Sequence, residues 1–160
     1  SDFGLARQLG ISRKEAARYI ELYFMRYPGV HTYLKGCVER AKQQGAATTL
    51  FGRRREMPEL KSSNYNTRSF GERVAMNMPI QGTAADIIKL AMVRVHNELK
   101  ARGMKSELIL QIHDELIIDA VQEEADAATE ILKSCMENVV NLKVPLLAEV
   151  HTGHSWFDTK

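Results

Sequence analysis

The chain has 160 residues, close to the size of one domain, and an ordinary globular composition with a formal net charge of +2. No apolar run approaches the length of a membrane-spanning helix, and no signal-peptide pattern opens the chain, so these classes are set aside. Cys37 and Cys135 stand far apart without metal-ligand spacing, which fits core thiols in a reducing compartment; a disulfide is the alternative.

The near-neutral total hides an uneven distribution. From Arg40 to Arg73 there are eight bases against Glu56, Glu59 and Glu72, and from Gly103 to Glu130 eight acids against Lys105 alone. A basic segment beside an acidic one suits a site that holds phosphates with one part and metal ions with the other. Two solvated faces of opposite sign give the same counts.

The chain opens on Ser1 in helix-like sequence, which suggests a piece of something longer. Residues 1–9 predict a helix closed by Gly10. Ser12-Arg13-Lys14-Glu15 is a capping-box pattern and predicts a second helix from Ser12. Its aromatic face, Tyr19, Tyr23, Phe24 and Tyr27, is expected in the core rather than as a stacking platform. Pro28-Gly29 ends it, and a third helix is predicted over 30–44, closed by Gly45. Residues 46–51 are Thr-rich and extended. Gly52 then turns the chain into Arg53-Arg54-Arg55, and Pro58 blocks an easy return to helix. Residues 62–67 read as a loop and as a soft boundary between two lobes.

Helix is predicted again from about 69 to 102, with a kink or break at Pro79. Beyond it, Ile87, Ile88, Leu90, Ala91, Val95 and Leu99 supply an apolar face. Residues 107–119 read as two Ile-rich strands joined by a tight turn at His113-Asp114-Glu115. A helix over 123–141 with Ala127, Ile131, Cys135, Met136 and Val139 inward, and a last strand over 146–151, complete the set. The fold class is α+β, mostly helical with a small antiparallel sheet.

Four features invite a chemical reading. The hairpin turn pushes a carboxylate pair, Asp114 and Glu115, out of an apolar sheet. A divalent cation such as magnesium answers two such acids, although Asp and Glu are also ordinary turn residues. Arg73, Asn77 and Gln81 are four residues apart and share a helix face. Such a row hydrogen-bonds successive sugars or base edges in a minor groove, or is simply a polar face. Gly52-Arg53-Arg54-Arg55 offers three fixed cations to phosphate, or decorates the surface. His151-Thr152-Gly153-His154 reads as a surface turn, because no third metal ligand lies nearby in sequence. Ser1 to Arg7 resembles the metal-binding DFG segment of protein kinases. The flanking kinase motifs are missing, and a capped helix at Ser12 contradicts an extended activation loop.

Taken together, the motifs resemble the C-terminal part of family A DNA polymerases across essentially the whole chain. The resemblance rests on Phe3 to Ala6, Tyr23 to Val30, Thr49 to Arg55, Asn77 to Asp86 and Gln111 to Leu116, in that order. It implies part of a right-hand polymerase fold, with residues 1–70 as partial fingers and 71–160 as partial palm, the third polymerase motif lying in the hairpin at 107–120. It implies that Asp114 is a catalytic aspartate and a ligand of two magnesium ions. Glu115 is then its acidic neighbour, and His113 lines the primer terminus. Arg73, Asn77 and Gln81 would sense the minor groove at the new base pair, and Arg53 and Arg54 would contact the nucleic-acid backbone. The implied partners are primer-template DNA, deoxynucleoside triphosphates and the upstream part of the same polymerase, with no membrane. The implied setting is the bacterial cytoplasm, associated with the nucleoid.

The implied reaction is attack of the primer 3′ hydroxyl on the α-phosphate of a deoxynucleoside triphosphate. One metal ion activates the hydroxyl and the other steadies pyrophosphate. The family's second catalytic aspartate and its nucleotide-binding fingers helix would lie upstream of Ser1, so the chain alone is expected to be inactive. A non-catalytic, salt-sensitive DNA-binding module is the competing reading. A metal-dependent nuclease using Asp114, Glu115 and Asp119 or Asp86 is a third. It suffers because Asp119 lies a strand away from the turn, about 13 Å if extended.

Overall fold

The computed structural model describes residues 1–159. They pack as two compact units that divide between Pro79 and Ile80. The polar loop at 62–67 lies inside the first unit, because the residues on either side of it, Leu60 and Ala75, share one core.

The first unit begins with α1 (Asp2–Leu9), capped by the Ser1 hydroxyl and closed by Gly10 in the left-handed conformation. Helix α2 (Arg13–Arg26) starts on the predicted capping box. The Glu15 N–H donates to Ser12 Oγ at 3.2 Å and the Ser12 N–H to Glu15 Oε2 at 3.0 Å. Arg13 ties the two helices by donating to the Asp2 carboxylate at 2.8 Å. Pro28 ends α2 and opens α3 (Pro28–Gln44), because a residue without an N–H is tolerated in a helical first turn.

Two short strands follow, β1 (Ala46–Thr48) and β2 (Arg54–Glu56), paired antiparallel with Ala47 opposite Arg55. A second small sheet therefore joins the one expected. Helix α4 (Tyr65–Asn77) starts four residues earlier than the sequence pattern suggests. Asn64 Oδ1 accepts the N–H groups of Asn66 and Thr67, so a stretch that reads as loop is a helix cap. Ala41, Ala47, Met57, Leu60 and Ala75 form the core of this unit.

The aromatic face of α2 is not in that core. Tyr19, Tyr23 and Tyr27 are each about half exposed, and the buried residue of α2 is Ala16. Helical spacing fixes which residues share a face but not which face is covered, and here the smaller side chain is the one inside.

Pro79 neither breaks nor ends the helical backbone. It sits in a π-helical turn, Met78–Gly82, between α4 and α5 (Thr83–Ala101). The wider turn accommodates a residue that has no N–H to give.

In the second unit, Ile88, Ala91, Val95 and Leu99 of α5 form one buried stripe, while Leu90 points to solvent. Strands β3 (Glu107–Ile112) and β4 (Glu115–Asp119) pair as the expected hairpin. Helix α6 (Ala125–Glu137) is shorter than predicted; it buries Ala128, and its Ile131, Leu132 and Cys135 share one core with α5. Cys37 and Cys135 are both free, buried thiols, and burial pushes the Cys135 thiol up. The last predicted strand, 146–151, does not form. Its Ala148 N–H donates to the Glu137 carboxylate at 3.1 Å instead of to a neighbouring strand. No helix among the described residues is long and apolar enough to cross a membrane.

Candidate catalytic hairpin and nucleic-acid interface

The β3–β4 hairpin is built to hold a polar tip on an apolar stem. Ile112 pairs with Glu115, which leaves His113 and Asp114 as a two-residue turn. Glu115 is thus the first residue of a strand rather than part of the turn. Two-residue hairpins favour positive φ at the turn, and His113 adopts it at 51°. For a residue with a Cβ that conformation costs on the order of 1 kcal/mol or more. The Gln111 amide helps hold it, donating to the His113 carbonyl at 2.7 Å.

Just past the tip, Leu116 is buried against the α5–α6 core. This fixes the face on which its neighbours lie, since successive strand residues alternate. Ile109 is the extra residue of a bulge between Leu108 and Leu110. At the far end Asp119 pairs with Glu107, so it does not join Asp114.

That far end is clamped. Glu124 accepts hydrogen bonds from the Ser106 hydroxyl at 2.6 Å, the Ser106 N–H at 2.9 Å and the Lys105 N–H at 3.1 Å. The Ser106 hydroxyl in turn accepts the Val121 N–H at 3.1 Å. These bonds hold the Glu124 carboxyl below its usual range, the Ser106 hydroxyl contributing most. Glu124 and Ser106 stand 18 residues apart, and nothing in the sequence marks them as partners.

His113, Asp114 and Glu115 are all exposed. Asp114 and Glu115 border a cavity of about 490 Å³ whose wall also includes Glu149, His151 and Trp156 of the C-terminal segment. Sequence reasoning places His151 on a surface turn and does not bring it to the hairpin. The connection runs through the Ala148–Glu137 bond, which has no sequence signature. Exposed carboxylates are the oxygen donors a hard cation takes. Among the described residues, no three His, Cys, Asp or Glu side chains are gathered as a metal cage. The donor set fits part of a divalent-metal site.

The basic elements belong to the first unit. Around Gly52, the Thr49 N–H donates to the Arg53 carbonyl at 2.9 Å, and the Arg53 N–H donates to Thr49 Oγ1 at 3.1 Å. Arg53, Arg54 and Arg55 are exposed on this hairpin. Arg54 is partly engaged, donating to Glu56 at 2.8 Å and to the Gln44 carbonyl at 3.3 Å.

On α4, Arg73 and Asn77 occupy an exposed face opposite buried Gly71 and Ala75. Arg73 is steadied by Ser69 at 3.0 Å and lies over the Phe70 ring. Gln81 is exposed within the π-helical turn that follows. Asp2 of the kinase-like segment opens α1, and the Arg13 guanidinium holds its carboxyl below the usual range.

The family model of DNA polymerase family A matches residues 1–158, which include both the β3–β4 hairpin and the basic segment. The chain belongs to DNA polymerase family A.

Among proteins it resembles, DNA polymerase I of Caldicellulosiruptor bescii is 54% identical over 160 residues, covering all of this chain and 19% of that protein. DNA polymerase I of Bacillus caldotenax is 51% identical over the same 160 residues, which span 18% of its length. The POL domain of Pol1 from M. smegmatis, solved in complex with DNA primer-template and dNTP, is similar at a TM-score of 0.94 and 44% identity. That match covers 99% of this chain and 28% of that one. The chain therefore spans about a fifth of the length of these curated relatives. The likeness supports a fingers/palm type of fold, with two small antiparallel sheets in a mostly helical chain.

Proposed function

We propose that this chain is the C-terminal part of a template-directed DNA polymerase, with residues 1–70 in the fingers and 71–160 in the palm. The observation that carries the reading is the family match over residues 1–158, in which the exposed Asp114 falls at the tip of the β3–β4 hairpin. Asp114 would hold magnesium, with Glu115 beside it. When bound, the two metal ions supply an activated primer hydroxyl and a neutralised pyrophosphate. His113 lines the primer terminus. Arg73, Asn77 and Gln81 read acceptors in the minor groove of the newest base pair, and Arg53 and Arg54 hold backbone phosphates. The partners are primer-template DNA, deoxynucleoside triphosphates and the upstream part of the polymerase. The setting is the bacterial cytoplasm, at the nucleoid.

The same reading makes these 160 residues inactive alone. Asp114 and Glu115 are two donors of a larger set, and the described residues bring no third to them as a cage. Primer extension in magnesium tests this, with the chain alone and with the upstream polymerase segment of a relative supplied in trans. Extension by the mixture only, abolished by Asp114→Ala, is the expected result. Extension by the chain alone, lost in Asp114→Ala, refutes the partial-site reading. No extension by the mixture, with salt-sensitive duplex binding intact, favours a non-catalytic binding module. The nuclease reading gains no support from Asp119, which sits opposite Glu107 at the other end of the hairpin.

A further inference from the structure

The exposed aromatic face of α2 has a composition and an order that solvent exposure alone does not explain. Tyr19, Tyr23 and Arg26 recur at helical spacing on one face, with Leu22 between them and Arg18 at its margin. Tyr19 is 56% exposed and Tyr23 51%, each presenting about half of its surface to water.

The Tyr23 end of the face is also held in place. The Tyr23 ring packs against Tyr27 at 5.0 Å and edge-on against Phe24 at 5.6 Å between centroids. Phe24 stacks on His31 at 4.5 Å. Rings already fixed by neighbours lose little freedom when something lands on them.

The charge is one-sided. Arg18 and Arg26 are exposed, whereas the acid on this face, Glu15, is turned back into the Ser12 capping box. A protein partner buried on this face would have to cover both guanidinium groups. A strand of phosphates answers them and brings flat bases to the rings.

We propose that the α2 face of Tyr19, Tyr23 and Arg26 is a stacking platform for single-stranded nucleic acid, with bases on the tyrosines and phosphates on Arg18 and Arg26. Every base has a π face, so the platform would accept a strand without regard to sequence. This surface is separate from Arg73 and Asn77, which the polymerase reading assigns to duplex. The test is binding rather than extension, so either idea can fail alone.

The measurement is fluorescence anisotropy of a labelled oligothymidylate, and of a duplex of equal length, titrated with the 160-residue chain at several salt concentrations. Tyr19→Leu keeps apolar bulk and removes the ring, and Tyr19→Phe keeps the ring. Because Tyr19 is half exposed, both variants should fold, which circular dichroism checks. The expected result is that Tyr19→Leu and Arg26→Ala each weaken single-strand binding about five- to tenfold. Tyr19→Phe should stay within about twofold of the wild type on the same scale, and duplex affinity should not move. The salt dependence for single strands should be shallower in Arg26→Ala.

Equal losses on single strand and duplex would overturn the proposal, as would no loss in Tyr19→Leu. Two alternative occupants would also overturn it. One is a second copy, seen as dimerisation that Tyr19→Leu abolishes and oligothymidylate does not compete with. The other is the upstream part of the polymerase, seen if supplying that segment in trans eliminates single-strand binding.

Discussion

Gly71 lies inside α4, where alanine is ordinarily the better helix former by about 1 kcal/mol. On propensity alone Gly71→Ala should stabilise the chain. The structure reverses the sign. A Cβ placed there meets Glu59 Cβ at 2.9 Å, with Leu60 Cδ2 and the Leu60 backbone nitrogen both at 3.2 Å. Comfortable carbon–carbon separations are about 3.5–4.0 Å, so the helix and the turn at Pro58–Lys61 must part by roughly half an ångström. Neither Glu59 Cβ nor the Leu60 nitrogen is the free end of a flexible side chain.

Overpacking costs about 1–3 kcal/mol, and with a Cβ contact of 2.9 Å and a backbone nitrogen in the way the upper part of that range, about 2–3 kcal/mol, applies; less the helical gain of about 1 kcal/mol, a net loss of about 1–2 kcal/mol remains. Leu60 and Ala75 belong to the same core, so the loss should appear in unfolding of the whole first unit. Urea unfolding followed by circular dichroism measures it. Gly29→Ala in α3 is the control, because nothing lies within 4 Å of the point its methyl group would occupy. That variant should be unchanged or stabilised by up to about 1 kcal/mol. A Gly71→Ala chain as stable as the wild type, or more so, would refute the steric argument.

Two further outcomes follow from the hairpin. His113→Gly should stabilise the second unit by about 1 kcal/mol, because glycine adopts the positive φ without a Cβ penalty, and His113→Val should destabilise it; thermal melts of both variants check this. Glu124→Gln should cost stability near neutral pH. The folded-state pKa of Glu124 is depressed, so its contribution is present above the ordinary carboxylate range and is lost as pH falls through the folded pKa. Urea midpoints of wild type and Glu124→Gln should therefore converge in acid, and a gap that persists unchanged there would contradict the ionised clamp.

Much of the local order is written in adjacent residues. Ser12 and Glu15 announce their helix because both halves of a capping box lie within one turn. The β3–β4 hairpin is legible because Ile-rich arms flank a short polar stretch, His113-Asp114-Glu115, although pairing of Glu115 with Ile112 narrows the turn to His113 and Asp114. The misses are cases in which a distant partner decides. The segment at 146–151 has strand composition, but a strand exists only with a neighbour to pair with, and Glu137 takes the Ala148 N–H instead. Tyr19, Tyr23 and Tyr27 have core-like chemistry, yet packing buries Ala16. Residues 62–67 look like a loop because Asn and Ser favour both turns and caps, and only the bonds from Asn66 and Thr67 to Asn64 decide between them.

The candidate site divides in the same way. The exposed positions of Asp114, Arg73 and Asn77 agree with what their spacing suggests, since each sits at a turn or on one helix face. Glu149, His151 and Trp156 come to the hairpin cavity through the path of the C-terminal segment, which no local pattern foretells.

The central claim is that Asp114 supplies a metal-binding carboxylate to a polymerase. The most direct measurement replaces the matching segment of Caldicellulosiruptor bescii DNA polymerase I, 54% identical, with this chain, and follows primer extension over a magnesium titration. The chimera should be active, and its extension should fall by several orders of magnitude in Asp114→Asn, while affinity for primer-template DNA changes little. An active chimera that Asp114→Asn leaves unimpaired would contradict it.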